Sequence, residues 1–542
     1  MRGQAARTFW TLFRARPYTA LALLLSALTL PWIATIPLDG TIEGNRLEAA
    51  REMLRSGDWL VPKLGGAVYL AKPPLHPWTL ALVSWPLGDV FLATGRALSA
   101  LAALATCVLV FRWGRRELGT RSGAFAALAL GSSALFVEKA VRAELELVLT
   151  LWTTLALLAF WEASLSNRLL RVWVLRFVSG LALGAAVLVK GPPPLLVFLL
   201  AALAVGMSGG SRRRSFFASA GVALALAVAC ALAWVVPLCA RLGLRAAWAS
   251  FDAQFLERIT QAGRTNAEPF WFYFPAVFVA LLPASACLPW IGLVRPARTV
   301  GDARARARAA FLWGWALLPL LAMSVSEGKE TRYLLPTLPA WSLLLAWSWT
   351  RARVSSRFVR WRHVLARTLS ISTWAAPVVW LVAGGLLYPQ AFSFVAASAS
   401  GALVARGALA WSARERRPAL LLGALVLCVG SVKFAWAGTA LAKRVREIPV
   451  AEVARTLAAL LAPEEPWILV GPYRSWWHFN VNRPCVALRD WNELRAVRLG
   501  PGPRARYALA PAGAIPAGEK GFEHAGRWVV DGEEYCLVRL WP

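Results

Sequence analysis

Glu43-Gly-Asn-Arg-Leu-Glu-Ala-Ala-Arg-Glu-Met-Leu-Arg-Ser-Gly-Asp-Trp-Leu-Val-Pro-Lys63, continuing to Tyr69-Leu-Ala-Lys-Pro-Pro-Leu75, is a dense polar stretch in a chain that is otherwise mostly apolar. It directly follows a long apolar segment, so it reads as a loop emerging from a first membrane span. Carboxylates, a short amphipathic helix pattern and a Lys-Pro-Pro turn stand together in it. Such a concentration of charge at a membrane surface calls for a chemical reason.

Working outward, the chain is 58% hydrophobic with a mean hydropathy of +0.53. Many apolar runs approach the roughly 20 residues that a helix needs to cross a bilayer. The expected fold is therefore an all-α polytopic membrane protein, and soluble classes are excluded. The net charge of +30 would suggest nucleic acid in a soluble protein. Here it is assigned to basic residues retained on cytoplasmic loops, with no nucleic-acid partner.

Hydropathy predicts about thirteen spans, near 18–36, 91–112, 122–138, 146–163, 173–189, 192–208, 216–240, 270–294, 309–325, 333–350, 365–388, 391–411 and 418–441. Every second connection is rich in arginine: Arg2 to Arg16, Arg112 to Arg121, Arg168 to Arg176, Arg212 to Arg214, Arg295 to Arg308, Arg351 to Arg367 and Arg414 to Arg417. That alternation places the N-terminus in the cytoplasm and the protein in the plasma (inner) membrane. The loops 37–90, 139–145, 241–269 and 326–332 then face outward, as does the C-terminal tail. The first apolar segment is read as a retained span, since no small-residue cleavage site clearly follows it.

Residues 1–442 form the expected transmembrane domain, and composition changes from about 443. Val450 to Leu461 and Asp490 to Leu499 read as helices. Trp467 to Val470, Tyr507 to Ala510 and Tyr535 to Val538 read as strands. A small extracytoplasmic α/β domain over 443–542 is the expectation. Cys107, Cys230, Cys239, Cys287 and Cys428 fall in spans as packing residues, while Cys485 and Cys536 lie in the tail, where a disulfide is permitted.

The outward loops hold the candidate chemistry. Leu47, Ala50 and Leu54 recur at helical spacing and would lay a helix on the membrane interface. Glu48 and Glu52 either line a site or simply solvate that helix. Glu43 precedes the helix and would face a cleft. Proline fixes the turn after Lys72, so this lysine either meets a phosphate at headgroup depth or snorkels. Glu138, Lys139, Arg142, Glu144 and Glu146 stand at span mouths, where ionisable groups are costly and tend to be functional, or cap helix ends and pair with one another. Lys190 in Lys190-Gly-Pro-Pro-Pro194, and Lys329, Arg332 and Tyr333 in Ser326 to Pro336, add cations and a cleft aromatic. The loop 241–269 adds Glu257 and Arg258. Outward loops are ordinarily poor in Lys and Arg, and binding a phosphate headgroup would account for those present.

These motifs resemble those of the GT-C superfamily of polyprenyl-phosphate-sugar glycosyltransferases, in particular its lipid A aminoarabinose transferase and protein O-mannosyltransferase branch. The matching elements are Glu43, Ala50-Arg-Glu-Met53, Gly57-Asp-Trp59, Lys72-Pro-Pro74, Glu146 with Leu149 and Thr150, Lys190-Gly-Pro192, Glu268-Pro-Phe-Trp-Phe-Tyr273, Lys329 and Arg332-Tyr-Leu-Leu-Pro336. They occur in family order over about residues 10–350. The resemblance implies transfer of one sugar, with inversion, from a polyprenyl-phosphate donor to a lipid, glycan or protein acceptor. A first-loop carboxylate, Glu43 or Asp39, would serve as base together with Glu146. Lys72, Lys190, Lys329, Arg332 and Arg142 would hold the donor phosphate. Arg258 and Tyr333 would line the cleft toward the acceptor. The chain departs from the family pattern at Ile42, where an Asp is usual, and at Ala71, where a Glu is usual. Residues 259–268 contain no His. Neither a cofactor nor a metal site is expected. The competing reading is a polyprenyl-lipid-binding scaffold or a lipid or sugar transporter without transferase activity, although no internal repeat of the kind transporters carry is seen.

Overall fold

The computed structural model describes residues 15–352 and 450–540, apart from 34–37, 39, 209, 252–267, 283, 295–301, 327, 463–464, 472–474, 484, 500–505, 517 and 531–532. Asp39, Arg258 and the expected spans at 365–388, 391–411 and 418–441 lie outside the described residues.

A backbone in hydrocarbon must satisfy its own polar groups, and the apolar runs accordingly close into helices. In chain order these are α1 (Pro17–Ile33), α2 (Gly40–Ser56), α3 (Leu75–Ser84), α4 (Leu92–Leu118), α5 (Thr120–Gly131), α6 (Ala134–Ala140), α7 (Glu146–Leu165), α8 (Leu169–Lys190), α9 (Pro193–Ser208) and α10 (Arg213–Leu242). Then follow α11 (Leu244–Phe251), α12 (Tyr273–Ala280), α13 (Ala303–Ala316), α14 (Leu318–Ser324) and α15 (Leu338–Ala352). Among the described residues, five helical segments are long and apolar enough to cross a membrane: 92–118, 146–165, 169–190, 210–242 and 303–324. The chain is a polytopic membrane protein.

Two expected spans have a different form. The segment 122–138 is broken into α5 and α6, which meet at 62°. At the break Ser132 and Ser133 donate their hydroxyls to the carbonyls of Leu128 (2.7 Å) and Leu130 (2.9 Å), satisfying helix-end acceptors that would otherwise be orphaned. The segment 270–294 is not one α-helix. It is the short α12 followed by a 3-10 stretch, Ala284–Val294, that contains Pro289, whose missing N–H works against a regular ladder.

Small residues let helices approach closely. A Cβ on Gly114 of α4 would lie 2.8 Å from the Cα of Gly123 in α5, and one on Gly184 of α8 would lie 2.6 Å from the Cβ of Cys230 in α10. Between the helices Trp161 stacks on Phe311 at 5.1 Å. Arginine-rich connections meet at one end of the bundle. Arg116 and Arg171 both pair with Glu162, at 2.8 and 2.9 Å, and Arg304 pairs with Glu117 at 2.8 Å.

The apolar face of helix α2, which its pattern suggested would rest on the membrane interface, is covered by protein. Leu47 and Ala50 are buried against Leu80, Ala81, Val90, Ala143 and Phe479, so its apolar face meets protein.

A short hairpin, β1 (Lys63–Leu64) with β2 (Ala67–Val68), lies between α2 and α3, and the C-terminal segment forms a five-stranded sheet in the order β4-β3-β5-β7-β6, from β3 (Trp467–Val470), β4 (Cys485–Leu488), β5 (Tyr507–Pro511), β6 (Phe522–Val530) and β7 (Glu533–Leu540). Side-chain alternation gives it two apolar faces, with Leu469, Leu509 and Leu537 on one and Ile468, Ala508 and Val538 on the other. The first three strands in this order are parallel, and β7 and β6 are antiparallel. All five tail elements expected from sequence are present. Three were not expected: β4, β6 and the helix Ser475–Val481. Strand β6 is largely exposed, so its sequence carries little apolar signal. Cys485 and Cys536 are free thiols. Two strands separate theirs, a distance of about 14 Å at normal strand spacing, which a disulfide cannot bridge.

Replacing Gly123 with Val should force α4 and α5 apart and lower the midpoint of thermal unfolding in detergent. Gly221→Ala, where an added Cβ meets nothing within 4 Å, should leave that midpoint unchanged.

Candidate active site

The polar stretch after α1 is organised by a buried ion pair. Glu43, in the first turn of α2, and Arg96, in α4, are both 0% exposed. Oε2 of Glu43 lies 3.1 Å from Nη2 of Arg96, and Oε1 accepts from Nε at 3.2 Å. The Ala143 amide donates to Oε1 at 2.6 Å, and Nη1 of Arg96 donates to the Ile33 carbonyl at 3.2 Å. One pair thus joins the end of α1, α2, α4 and the connection before α7. Glu43 was expected to face a cleft as a base. Its carboxylate is instead sealed inside this junction with both oxygens engaged.

The other carboxylates of α2 also have structural partners. Glu48 pairs with Arg51 at 3.3 Å. Arg51 also reaches Asp89 (2.9 Å) and the carbonyls of Val90 (2.9 Å) and Phe479 (3.1 Å), and lies 4.0 Å over the Phe479 ring. Glu52 accepts from the amides of Gly65 and Gly66, which sit at φ +62° and +77° at the tip of the Lys63–Leu64/Ala67–Val68 hairpin. Two successive positive φ values favour glycine there.

A second cluster gathers around Glu146, the first residue of α7. Nζ of Lys190 lies 3.3 Å from its Oε1 and Nε of Arg332 lies 3.8 Å away. Lys190 ends α8, where Gly191 takes φ +85° and the prolines begin the next helix. Its ammonium sits 4.7 Å over the Tyr333 ring. Arg332 also donates to Glu330 at 2.7 Å, and the Tyr333 hydroxyl stands 3.4 Å from the same carboxylate. Burial favours the neutral form of Arg332, but Glu146 and Glu330 beside it outweigh that and hold it above the ordinary guanidinium value. Sequence-distant Lys190, Arg332, Tyr333 and Glu146 are thereby brought together.

The remaining candidates are placed differently. Lys329 is buried and donates to the Glu268 carbonyl at 2.7 Å, fastening one loop to another. Arg142 lies 3.9 Å from Glu138. Glu144 pairs with Lys139 at 3.1 Å, and burial, with Glu146 nearby, pushes its carboxyl above the usual range. Lys72 is half-buried just before α3.

Five residues not singled out from sequence are linked to these candidates: Arg46, Tyr69, His76, Arg96 and Glu330. Arg46 donates to the Tyr69 hydroxyl at 3.3 Å and lies within electrostatic reach of Glu146, as does His76. His76 is 1% exposed. Burial, then Arg46, lowers its pKa to about 3, against an opposing pull from Glu146. Arg96 carried a readable signal, an arginine near the start of an apolar span. His76 carried none. Among the described residues no three His, Cys, Asp or Glu side chains stand together as a candidate metal site.

The fold and the motifs agree with known proteins. The chain aligns with the crystal structure of ArnT from Cupriavidus metallidurans bound to undecaprenyl phosphate at a TM-score of 0.77, over 97% of this chain and 98% of that one, with 21% identity. This chain has the GT-C fold. The dolichyl-phosphate-mannose-protein mannosyltransferase family model matches residues 71–234. The undecaprenyl phosphate-α-4-amino-4-deoxy-L-arabinose arabinosyl transferase of Edwardsiella ictaluri is 31% identical over 57% of this chain and 56% of its own length. Its Pseudomonas aeruginosa counterpart (strain UCBPP-PA14) is 32% identical over 55% and 53%. The chain thus spans a little over half the length of these curated relatives. The GT-C resemblance read from the motifs is borne out.

Removing one member of a buried ion pair strands the other's charge and costs about 3–5 kcal/mol. Arg96→Met should therefore unfold in detergent at markedly lower temperature than wild type. The double variant Glu43→Leu with Arg96→Met should recover most of the loss.

Proposed function

We propose that this chain is a membrane glycosyltransferase that moves one sugar from a polyprenyl-phosphate donor to a lipid, glycan or protein acceptor at the outward face. The observation that carries the reading is the convergence of Lys190 and Arg332, from separate segments, on Glu146. Two cations held beside one carboxylate can exchange it for a lipid phosphate without being built anew. The names of the curated relatives, which specify an undecaprenyl phosphate donor and a pentosyl group, support the same class.

In this scheme an acceptor oxygen attacks the anomeric carbon, the bond from that carbon to the phosphate oxygen breaks, the configuration inverts, and the proton of a hydroxyl acceptor passes to a carboxylate such as Glu146. Lys190 and Arg332 stabilise the negative charge that grows on the departing phosphate. Lys72, Arg142 and Lys329 are their auxiliaries or hold the loops around them. Glu43 acts as a positioning residue through Arg96. Of the carboxylates proposed for the acceptor, Glu146 is the one in the described structure with a buried oxygen, Oε2, that accepts no hydrogen bond.

The topology proposed with it has thirteen spans, a cytoplasmic N-terminus and an outward C-terminal α/β domain over 443–542. The joining of arginine-rich connections at one end of the bundle supports that alternation. So does the packing of the C-terminal helix Ser475–Val481 on α2, the helix that carries Glu43, through Arg51 and Phe479.

Purified protein in nanodiscs, offered radiolabelled undecaprenyl-phosphate sugars and membrane extract, should move label to a new product. Lys190→Ala and Arg332→Ala should each lower that rate by roughly a hundredfold or more. A protein that binds undecaprenyl phosphate but consumes no donor would overturn this reading in favour of a scaffold or transporter.

A further inference from the structure

Three side chains from separate segments keep buried hydrogen-bonding atoms that nothing in the described structure uses. They are Nε of Arg46 on α2, both ring nitrogens of His76 on α3, and Oε2 of Glu146 on α7. The backbone of Glu144 lies close to His76 without reaching standard hydrogen-bond geometry. Buried polar groups in folded proteins are nearly always bonded, so each exception calls for an explanation. Arg46 and Glu146 both lie within electrostatic reach of His76. Lys190 and Arg332 pair with the same Glu146.

We infer that His76, with Arg46 and Glu146, forms the subsite that receives hydroxyl groups of the transferred sugar, and that His76 is a specificity-determining residue. The inference rests on the proposed glycosyltransferase function and extends it to recognition of the donor's sugar.

The chemistry fits a hydroxyl. Burial and the neighbouring Arg46 hold the imidazole neutral at physiological pH. A neutral imidazole offers one N–H donor and one acceptor nitrogen. A sugar hydroxyl both donates and accepts, and can use either. The Arg46 Nε–H supplies a further donor and Glu146 Oε2 a further acceptor, so adjacent ring hydroxyls find partners of both kinds. The position is also suitable. His76 stands four residues after Lys72, in the first turn of α3, and is linked through Glu146 to Lys190 and Arg332. A sugar ester directly follows its phosphate, so a hydroxyl subsite next to a phosphate site is where the ring would lie.

A purely structural histidine predicts something different. A buried imidazole with no partner only costs stability, and an apolar ring of similar shape would relieve that cost. His76→Phe should therefore unfold in detergent at the same temperature as wild type or higher, while losing recognition of the sugar.

The experiment compares binding of undecaprenyl phosphate with binding of its pentosyl and hexosyl esters to full-length protein in nanodiscs. In His76→Phe, affinity for the bound ester should fall roughly tenfold while affinity for undecaprenyl phosphate stays within twofold, as expected for the loss of about one or two buried hydrogen bonds. His76→Gln keeps a donor and an acceptor, and should retain most of the ester affinity. Equal weakening of ester and bare lipid, or no weakening of either, would overturn the subsite. If the ester-specific loss appears and wild type still transfers no sugar, the subsite stands and the transferase reading falls. If wild type binds none of the esters, both fall.

Discussion

The Glu43–Arg96 pair is the constraint on which the outward end of the molecule depends. A carboxylate and a guanidinium, both out of water, hold each other only while their geometry stays good, because the desolvation cost of either alone is large. Here one pair also engages the Ala143 amide and the Ile33 carbonyl. Four segments that share no sequence neighbourhood therefore keep one relative position. Arg46, three residues after Glu43, and Glu146, three residues after Ala143, are carried into place by that junction.

From this follows a division of labour among charges that look alike in the sequence. Glu43, Glu48 and Glu52 lie within ten residues on one helix, yet they hold respectively α4, Arg51 and a hairpin tip. Glu146, His76 and Arg46 are instead among the charged or titratable side chains that keep a buried atom without a hydrogen bond. Rigid support and available chemistry are adjacent without being the same residues, which is what a site needs if its geometry is to survive ligand exchange. Arg51 extends the support to the C-terminal segment by bonding the carbonyl of Phe479, in the helix Ser475–Val481, so that helix and the polar cluster stand at the same end of the bundle.

Much of the site was legible because ionisable residues are scarce in apolar sequence. Lys190, Arg332 and Glu146 stand out for that reason, and all three converge. Arg96 could have been found by the same rule. Glu43 was conspicuous, but a carboxylate beside an apolar pattern looks the same in sequence whether it faces a cleft or a buried arginine 53 residues away. The amphipathic pattern of α2 was likewise real, but Leu47 and Ala50 face α3 and Phe479 rather than lipid. An apolar stripe records that a helix has a covered side and says nothing of what covers it.

The sequence by itself determined the polytopic helical class, the positions of most of the described helices, five elements of the C-terminal sheet region and the resemblance to the GT-C superfamily. These follow from local quantities: run length, hydropathy, residue period and motif order. Only the tertiary structure decided the partner of each buried charge, the break between α5 and α6, the separation of Cys485 from Cys536 and the company of His76. Each of those is a relation between segments far apart in the chain. A buried hydrogen bond or ion pair is fixed by which surfaces meet when helices pack, and no local pattern encodes that meeting.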